Sequence, residues 1–238
     1  MDNVTFKRQL ARAIKPWLKF FLILGVWIST TAHVVVSHPV RDPGLVAGHD
    51  VVTSLITSLN LETFQAFRAS LTLNGQTDQP IGLYAEGIMA YPIVQQPTSN
   101  PAFVSTQPNT LTHFALAQRY GSLGLLAHNH LAGQAFFALQ PEQTLWVVFG
   151  DGSLKRYRIV TIERYQALQP HSPYSKFINL DDPQQKVLSA TELFLHIYEN
   201  PGALVLQTCI AQGDELSWGR LFVIAQPEDT APRRLPQS

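Results

Sequence analysis

The stretch Ala203–Gln226, "ALVLQTCIAQGDELSWGRLFVIAQ", decides how the rest of the chain is read. Two apolar segments rich in Val, Leu, Ile and Phe flank a polar connection, the pattern of two strands joined by a loop. Cys209, the single cysteine among 238 residues, closes the first strand, and Arg220 opens the second. A loop of this length can return the chain along a neighbouring antiparallel strand and place both residues at one rim. A thiol becomes a nucleophile when a base or a cation favours its thiolate, and donors can then hold the oxyanion formed on attack. A small buried hydrophobe is the structural alternative for a lone cysteine.

Upstream, short strands alternate with turn residues. "IGLYAEGIMAYPIV", "LTHFALAQ", "LGLLAHNH", "QAFFAL", "TLWVVF" and "LKRYRIVTIERY" are strand candidates, with a Pro- and Thr-rich loop over 95–110. Gly150-Asp151-Gly152-Ser153 is a hairpin signal, because these residues tolerate positive φ. This texture predicts an antiparallel barrel or sandwich. One helix interrupts it: in "SATELFLHIYENPG", Ser189 stands three before Glu192 as a capping box, and Pro201-Gly202 ends the helix. "HDVVTSLITSLNLETFQAFRASL", with Val52, Leu55, Leu59 and Phe64 in partial helical spacing, predicts one or two helices before a turn at Asn74-Gly75.

The N-terminus is organised differently. Lys7, Arg8, Arg12, Lys15 and Lys19 precede or enter an apolar run, Trp17–Val36, of the length that crosses a bilayer as a helix. Positive charge on the N-terminal flank places that end in the cytoplasm and the remainder outside. The organisation expected is a cytoplasmic tail (1–16), a transmembrane signal anchor (17–37), a linker with helical character (38–80), a β-domain (81–226) and a polar tail (227–238). A signal peptide cut near Ala32 is the alternative, and it leaves the domain outside as well. Seventeen cationic and seventeen anionic side chains balance, which argues against a nucleic-acid coat.

Histidines supply the proton-transfer candidates. His128 and His130 lie in "LLAHNHLAG", at the end of an apolar strand. On a strand they would share a face and could begin a zinc site, but no third ligand has convincing spacing. The letters "HNH" are no nuclease signature, and the Gly150 turn lacks the helix of a phosphate cradle.

Taken in order, "LLAHN…FFAL", "VVFGDG", "YRIVTIERY", "LVLQTC" and "GRLFVIA" resemble the sortases, membrane-anchored cysteine transpeptidases of bacterial envelopes. The resemblance covers about Leu111 to Gln226, more loosely from Ile81. The family's Thr-Leu-x-Thr-Cys stands here as Val205-Leu206-Gln207-Thr208-Cys209, and Ala127 replaces the glycine common before the histidine. Phe136, Phe137 and Leu139 lie at the family's distance from His128 and too close to His130.

This resemblance implies a closed, mainly antiparallel barrel of about eight strands with short helices, filled by side chains such as Leu125, Val147, Ile159, Leu206 and Val223. It implies Cys209 as nucleophile, His128 as general acid/base with His130 as alternative, Arg220 as oxyanion or substrate donor, and Thr208 as a supporting residue. The substrate expected is a secreted protein with a C-terminal sorting signal, passed to an amine acceptor of the envelope, without cofactor or metal. Hydrolysis on the same fold, or a noncatalytic tethered barrel binding an envelope peptide or glycan, are the alternatives.

Overall fold

A computed structural model describes residues 62–228. The expected tail 1–16, the anchor 17–37, most of the linker and the end of the polar tail lie outside the described residues. Among those described, no helix is long and apolar enough to cross a membrane.

Helix α1 spans 62–70. Ten strands follow: β1 (Pro80–Ala85), β2 (Met89–Gln95), β3 (Leu111–Phe114), β4 (Leu123–Leu126), β5 (Thr144–Phe149), β6 (Leu154–Ala167), β7 (Lys176–Asn179), β8 (Val187–Ser189), β9 (Leu204–Gln212) and β10 (Glu215–Pro227). Helix α2 (Ala115–Gln118) follows β3, a 3-10 helix (Ala132–Ala138) follows β4, and α3 (Ala190–Tyr198) follows β8. The strand order β10-β9-β4-β3-β2-β1-β5-β6 closes on itself through pairing of β10 with β6, so eight strands make a barrel. The pairs β2–β3 and β4–β9 are parallel, and every other pair is antiparallel.

Alternation along each strand fills the interior. Leu83, Leu111, Leu125, Val147, Ile159, Leu206 and Val223 all point into one packed core. Burying each such side chain stabilises by about 2 kcal/mol relative to exposure. A register irregularity on β10 and β6, between Ile224 and Ala225, sets Ile159 and then Ile162 against the core, while Tyr165 and Ala167 join a second cluster on the outer face. Helix α3 covers that outer face with Leu193, Phe194, Ile197 and Tyr198, three and four residues apart. Its capping box forms as expected: Glu192 N donates to Ser189 Oγ at 3.2 Å, and Ser189 N donates to Glu192 Oε2 at 2.8 Å. Gly202 then turns the chain at φ +80.

Several local expectations change. "IGLYAEGIMAYPIV" is a hairpin, turned at Gly87 with φ +69. "LTHFALAQ" leaves the sheet at Phe114 and becomes α2. "QAFFAL" is part of the 3-10 helix, whose Phe136 plugs the barrel while Phe137 is exposed. Inward and outward phenylalanines imitate a strand, but this segment has no neighbouring strand to pair with. Strands β7 and β8 have no counterpart in the sequence reading; they extend the sheet beyond β6, outside the closed barrel.

One inward polar group constrains the barrel. His113 pairs with Leu125 across β3 and β4 and is buried. Its Nδ1 lies 2.8 Å from Gln95 Oε1, and Gln95 Nε2 donates to Pro80 O at 2.7 Å. Gln95 therefore presents an acceptor, so Nδ1 carries the proton and buried Nε2 has no partner among the described residues. Burial pushes the imidazole down to about 4, against a small opposing pull from Asp78. The folded state thus binds its proton later than the unfolded chain, whose histidine titrates near 6.5. Stability is complete above pH 6.5 and falls as pH drops from there toward 4, by up to about 3 kcal/mol. Urea unfolding at pH 7.5 and 4.5 should show this loss in the wild type and a shallower one in His113→Gln; parallel losses would refute the assignment.

Candidate active site

Two main-chain pairings assemble the site. In the antiparallel ladder of β9 and β10, Cys209 and Arg220 are direct partners, so their side chains leave the same face about 5 Å apart at Cβ. That face is the outer one, shared with Val205, Phe222 and the helix α3. On the other side of β9, the parallel pairing with β4 ends at Leu126 opposite Gln207, and Ala127 N still donates to Gln207 O at 3.2 Å. His128 and Cys209 each lie two residues beyond that last pair. The three expected groups therefore stand on three adjacent chain segments, with Cys209 in the middle.

His130 stands beside His128 but on a turn. The strand stops at Leu126, and residues 129–130 form a turn, so the two histidines do not share a strand face. Their rings lie 5.4 Å apart, with His128 half-buried and His130 exposed. Among the described residues no group of three or more His, Cys, Asp or Glu side chains could hold a metal.

Electrostatics at the site favour neutral forms. Cys209 is 1% exposed, and burial pushes its thiol up; Arg220 and the Ser217 hydroxyl pull it down, while Glu215 opposes them. Burial pushes His128 down, and the charge of His130 adds to that, against a contact with the Val104 backbone. Arg220 is fully buried. Its Nη1 donates to Ser217 O at 2.9 Å and Gly219 O at 2.7 Å. Its Nε and Nη2 have no partner among the described residues, and neither has His128 Nδ1. Buried polar groups are almost always satisfied, so each exception calls for an explanation. Three of these exceptions belong to Arg220 and His128, the residues on either side of Cys209.

Thr208 points the other way, into the barrel. Its hydroxyl donates to Ala127 O at 2.9 Å, tying the strand of Cys209 to the residue before His128. Gly133 N donates to His128 O at 2.9 Å, and a Cβ at Gly133 would come within 2.3 Å of Thr208 Oγ1 and 2.8 Å of His128 O. Gly219 is similarly required: a Cβ there would lie 2.6 Å from Tyr165 O. Asn129 Nδ2 donates to Leu216 O at 3.0 Å, joining the histidine loop to the β9–β10 hairpin. Sequence reasoning singled out none of Gly133, Gly219, Asn129 and Ser217. Only the two glycines, each beside an expected element, carried a signal; a contact across 87 residues decides Asn129, and the local contacts of a bulge decide Ser217.

No family model and no curated protein matches this chain. Solved structures similar to it include sortase A of Listeria monocytogenes (10% identity, 64% of this chain and 89% of that one, TM-score 0.41). Sortase C1 of Streptococcus agalactiae in complex with MTSET is similar at 13% identity, 78% and 92% coverage and TM-score 0.40. Sortase C of Clostridium perfringens with the C-terminal cell wall sorting motif is similar at 15% identity, 77% and 92% coverage and TM-score 0.37.

The Gly133 contacts give a direct test of the clamp on His128. Gly133→Ala should destabilise the domain by about 1–3 kcal/mol through overpacking and shift the His128 ring signals in NMR titration. Unchanged stability and unchanged His128 signals would mean that the loop yields freely and that no clamp exists.

Proposed function

We propose that this chain is a divergent sortase, a cysteine transpeptidase acting on a peptide sorting signal. The observation that carries the reading is the pair of Arg220 donors, unsatisfied among the described residues, directly across the ladder from the sole thiol. A planar fork with two open N–H groups suits a carbonyl oxygen that gains negative charge.

The steps follow from the groups present. The Cys209 thiolate attacks the scissile carbonyl, and the oxyanion is held by Arg220 Nε and Nη2. His128, as imidazolium, gives its proton to the departing amine, leaving a thioacyl enzyme. An amine acceptor attacks the thioester, His128 takes the amine's proton, and Cys209 leaves as thiolate; water in place of the amine gives hydrolysis. The reactive form needs thiolate and imidazolium together, and burial of both groups disfavours each. His130→Ala removes a neighbouring charge that depresses His128 and so should retain or modestly raise turnover. His128→Ala should abolish it.

Mass spectrometry of the chain with candidate sorting peptides and an amine acceptor tests the assignment. Cys209→Ala should lose the acyl-enzyme. Arg220→Ala should slow acyl transfer by about 100-fold, on the order of losing an oxyanion donor, with poor rescue by lysine. Peptide cleavage surviving in Cys209→Ala would end the transpeptidase reading.

The near-complete burial of Cys209 favours one other reading, a noncatalytic barrel with an inert thiol. Persistent resistance of the folded protein to alkylation would select it.

The sequence further supports an anchored enzyme with its barrel outside the cell, near secreted substrates and envelope amines. Protease added to intact spheroplasts should digest the barrel; a protected barrel would reverse the orientation.

A further inference from the structure

Between the two partners of the nucleophile's ladder lies an irregularity. Glu215 pairs with Gln212 and Gly219 with Ile210, so four steps on β10 oppose two on β9. Two extra residues bulge from β10 immediately before Arg220. Bulges of this kind re-aim side chains and are frequent beside active sites. Here the bulge inverts the usual burial preference: Leu216 is 42% exposed, while Ser217 is 1% exposed. Leaving a leucine in water to bury a serine is unfavourable on transfer grounds, so the hydroxyl needs a partner inside. Burial pushes the Cys209 thiol up, and Arg220 and the Ser217 hydroxyl pull it down, which sets the buried hydroxyl beside the sulfur.

The rest of Ser217 is fixed with equal care. Its N donates to Glu215 Oε1 at 2.8 Å, and its carbonyl accepts from Arg220 Nη1 at 2.9 Å. The bulge itself is held from both sides. Asn129 grips Leu216 O from the histidine loop, and His171 Nε2 meets Glu215 Oε2 at 2.7 Å from the connection after β6.

We propose that Ser217 is a further catalytic residue: its hydroxyl donates to the Cys209 sulfur and stabilises the thiolate, while its carbonyl orients the guanidinium of Arg220. One residue would thereby set the charge of the nucleophile and the direction of the oxyanion donors. The inference rests on Cys209 being the nucleophile, but its test does not require a peptide to be transferred.

Cys209 is the only cysteine, so the pH dependence of iodoacetamide alkylation of the detergent-solubilised full chain reports this thiol alone. Loss of a hydrogen bond to an anion raises the acid's titration by about one pH unit. Ser217→Ala should move the alkylation midpoint up by about that much and slow alkylation about tenfold below it. Ser217→Thr, which keeps the hydroxyl, should titrate as the wild type does. Ser217→Val, nearly the same shape as threonine, should titrate as alanine does and so separates the hydroxyl from packing. An unmoved midpoint in the alanine variant, or threonine and valine variants that titrate alike, overturns the proposal. Normal titration shifts in a protein that never forms an acyl-enzyme would leave Ser217's effect on the thiol standing and remove the transpeptidase reading instead.

Discussion

The structure turns on a fully buried guanidinium with no carboxylate beside it among the described residues. Isolating such a charge from water costs several kcal/mol after relaxation, and Arg220 recovers part of that only through two carbonyls of its own strand, Ser217 and Gly219. Those carbonyls belong to the bulge and the glycine that closes it, and β6 can pass beside residue 219 because it has no side chain. Closing the barrel through β6 and β10 is therefore coupled to seating the arginine. A purely structural arginine would end with its donors satisfied. Here Nε and Nη2 remain open beside the thiol, and the barrel tolerates that cost at one place on its outer face.

Much of this was readable in the sequence, for identifiable reasons. The barrel implied by the resemblance assigns Leu206 and Val223 to the interior, and both lie there. The Ser189–Glu192 capping box is a local chemical signal, and it forms. The order of Cys209 and Arg220 on consecutive strands yields their cross-strand pairing once the hairpin closes. The polar stretch between them misled in one respect. "AQGDELSWG" reads as a loop, yet only Gly213 and Asp214 form the turn, and the remainder belongs to two strands with a bulge. Alternation analysis cannot detect an insertion of two residues that keeps both flanks in phase. For the same reason Ser217 resembled any surface serine. His130 was misplaced onto a strand because apolar residues before it continue the pattern, although backbone pairing stops at Leu126.

Chemistry on the outer face follows from how the barrel is filled. An eight-stranded barrel has an interior just wide enough for its side chains, and here leucines, valines, Phe136 and Tyr157 occupy it. No room is left inside for a peptide. Cys209 leaves β9 outward, on the face where α3 packs against Val205 and where Tyr198 Oη donates to Gln207 Oε1 at 2.7 Å. That hydrogen bond pins the outward side chain two residues before Cys209 to the helix.

The three groups also differ in when the chain can bring them together. Cys209 and Arg220 are eleven positions apart in the sequence and meet as soon as their hairpin forms. His128 reaches them only through the parallel pairing of β4 with β9, which spans about eighty residues and is sealed by Thr208 on Ala127 O. Long-range parallel pairing pays its loop-closure entropy before it gains contacts. Cys209 and Arg220 thus belong to a local unit, and His128 joins them through the long-range pairing of β4 with β9. Such an order leaves the thiol without its histidine until that pairing forms. The clamp of Gly133 and Thr208 on the chain around His128 is accordingly placed at the joint where a loose fit would do most harm to the site and least to the barrel.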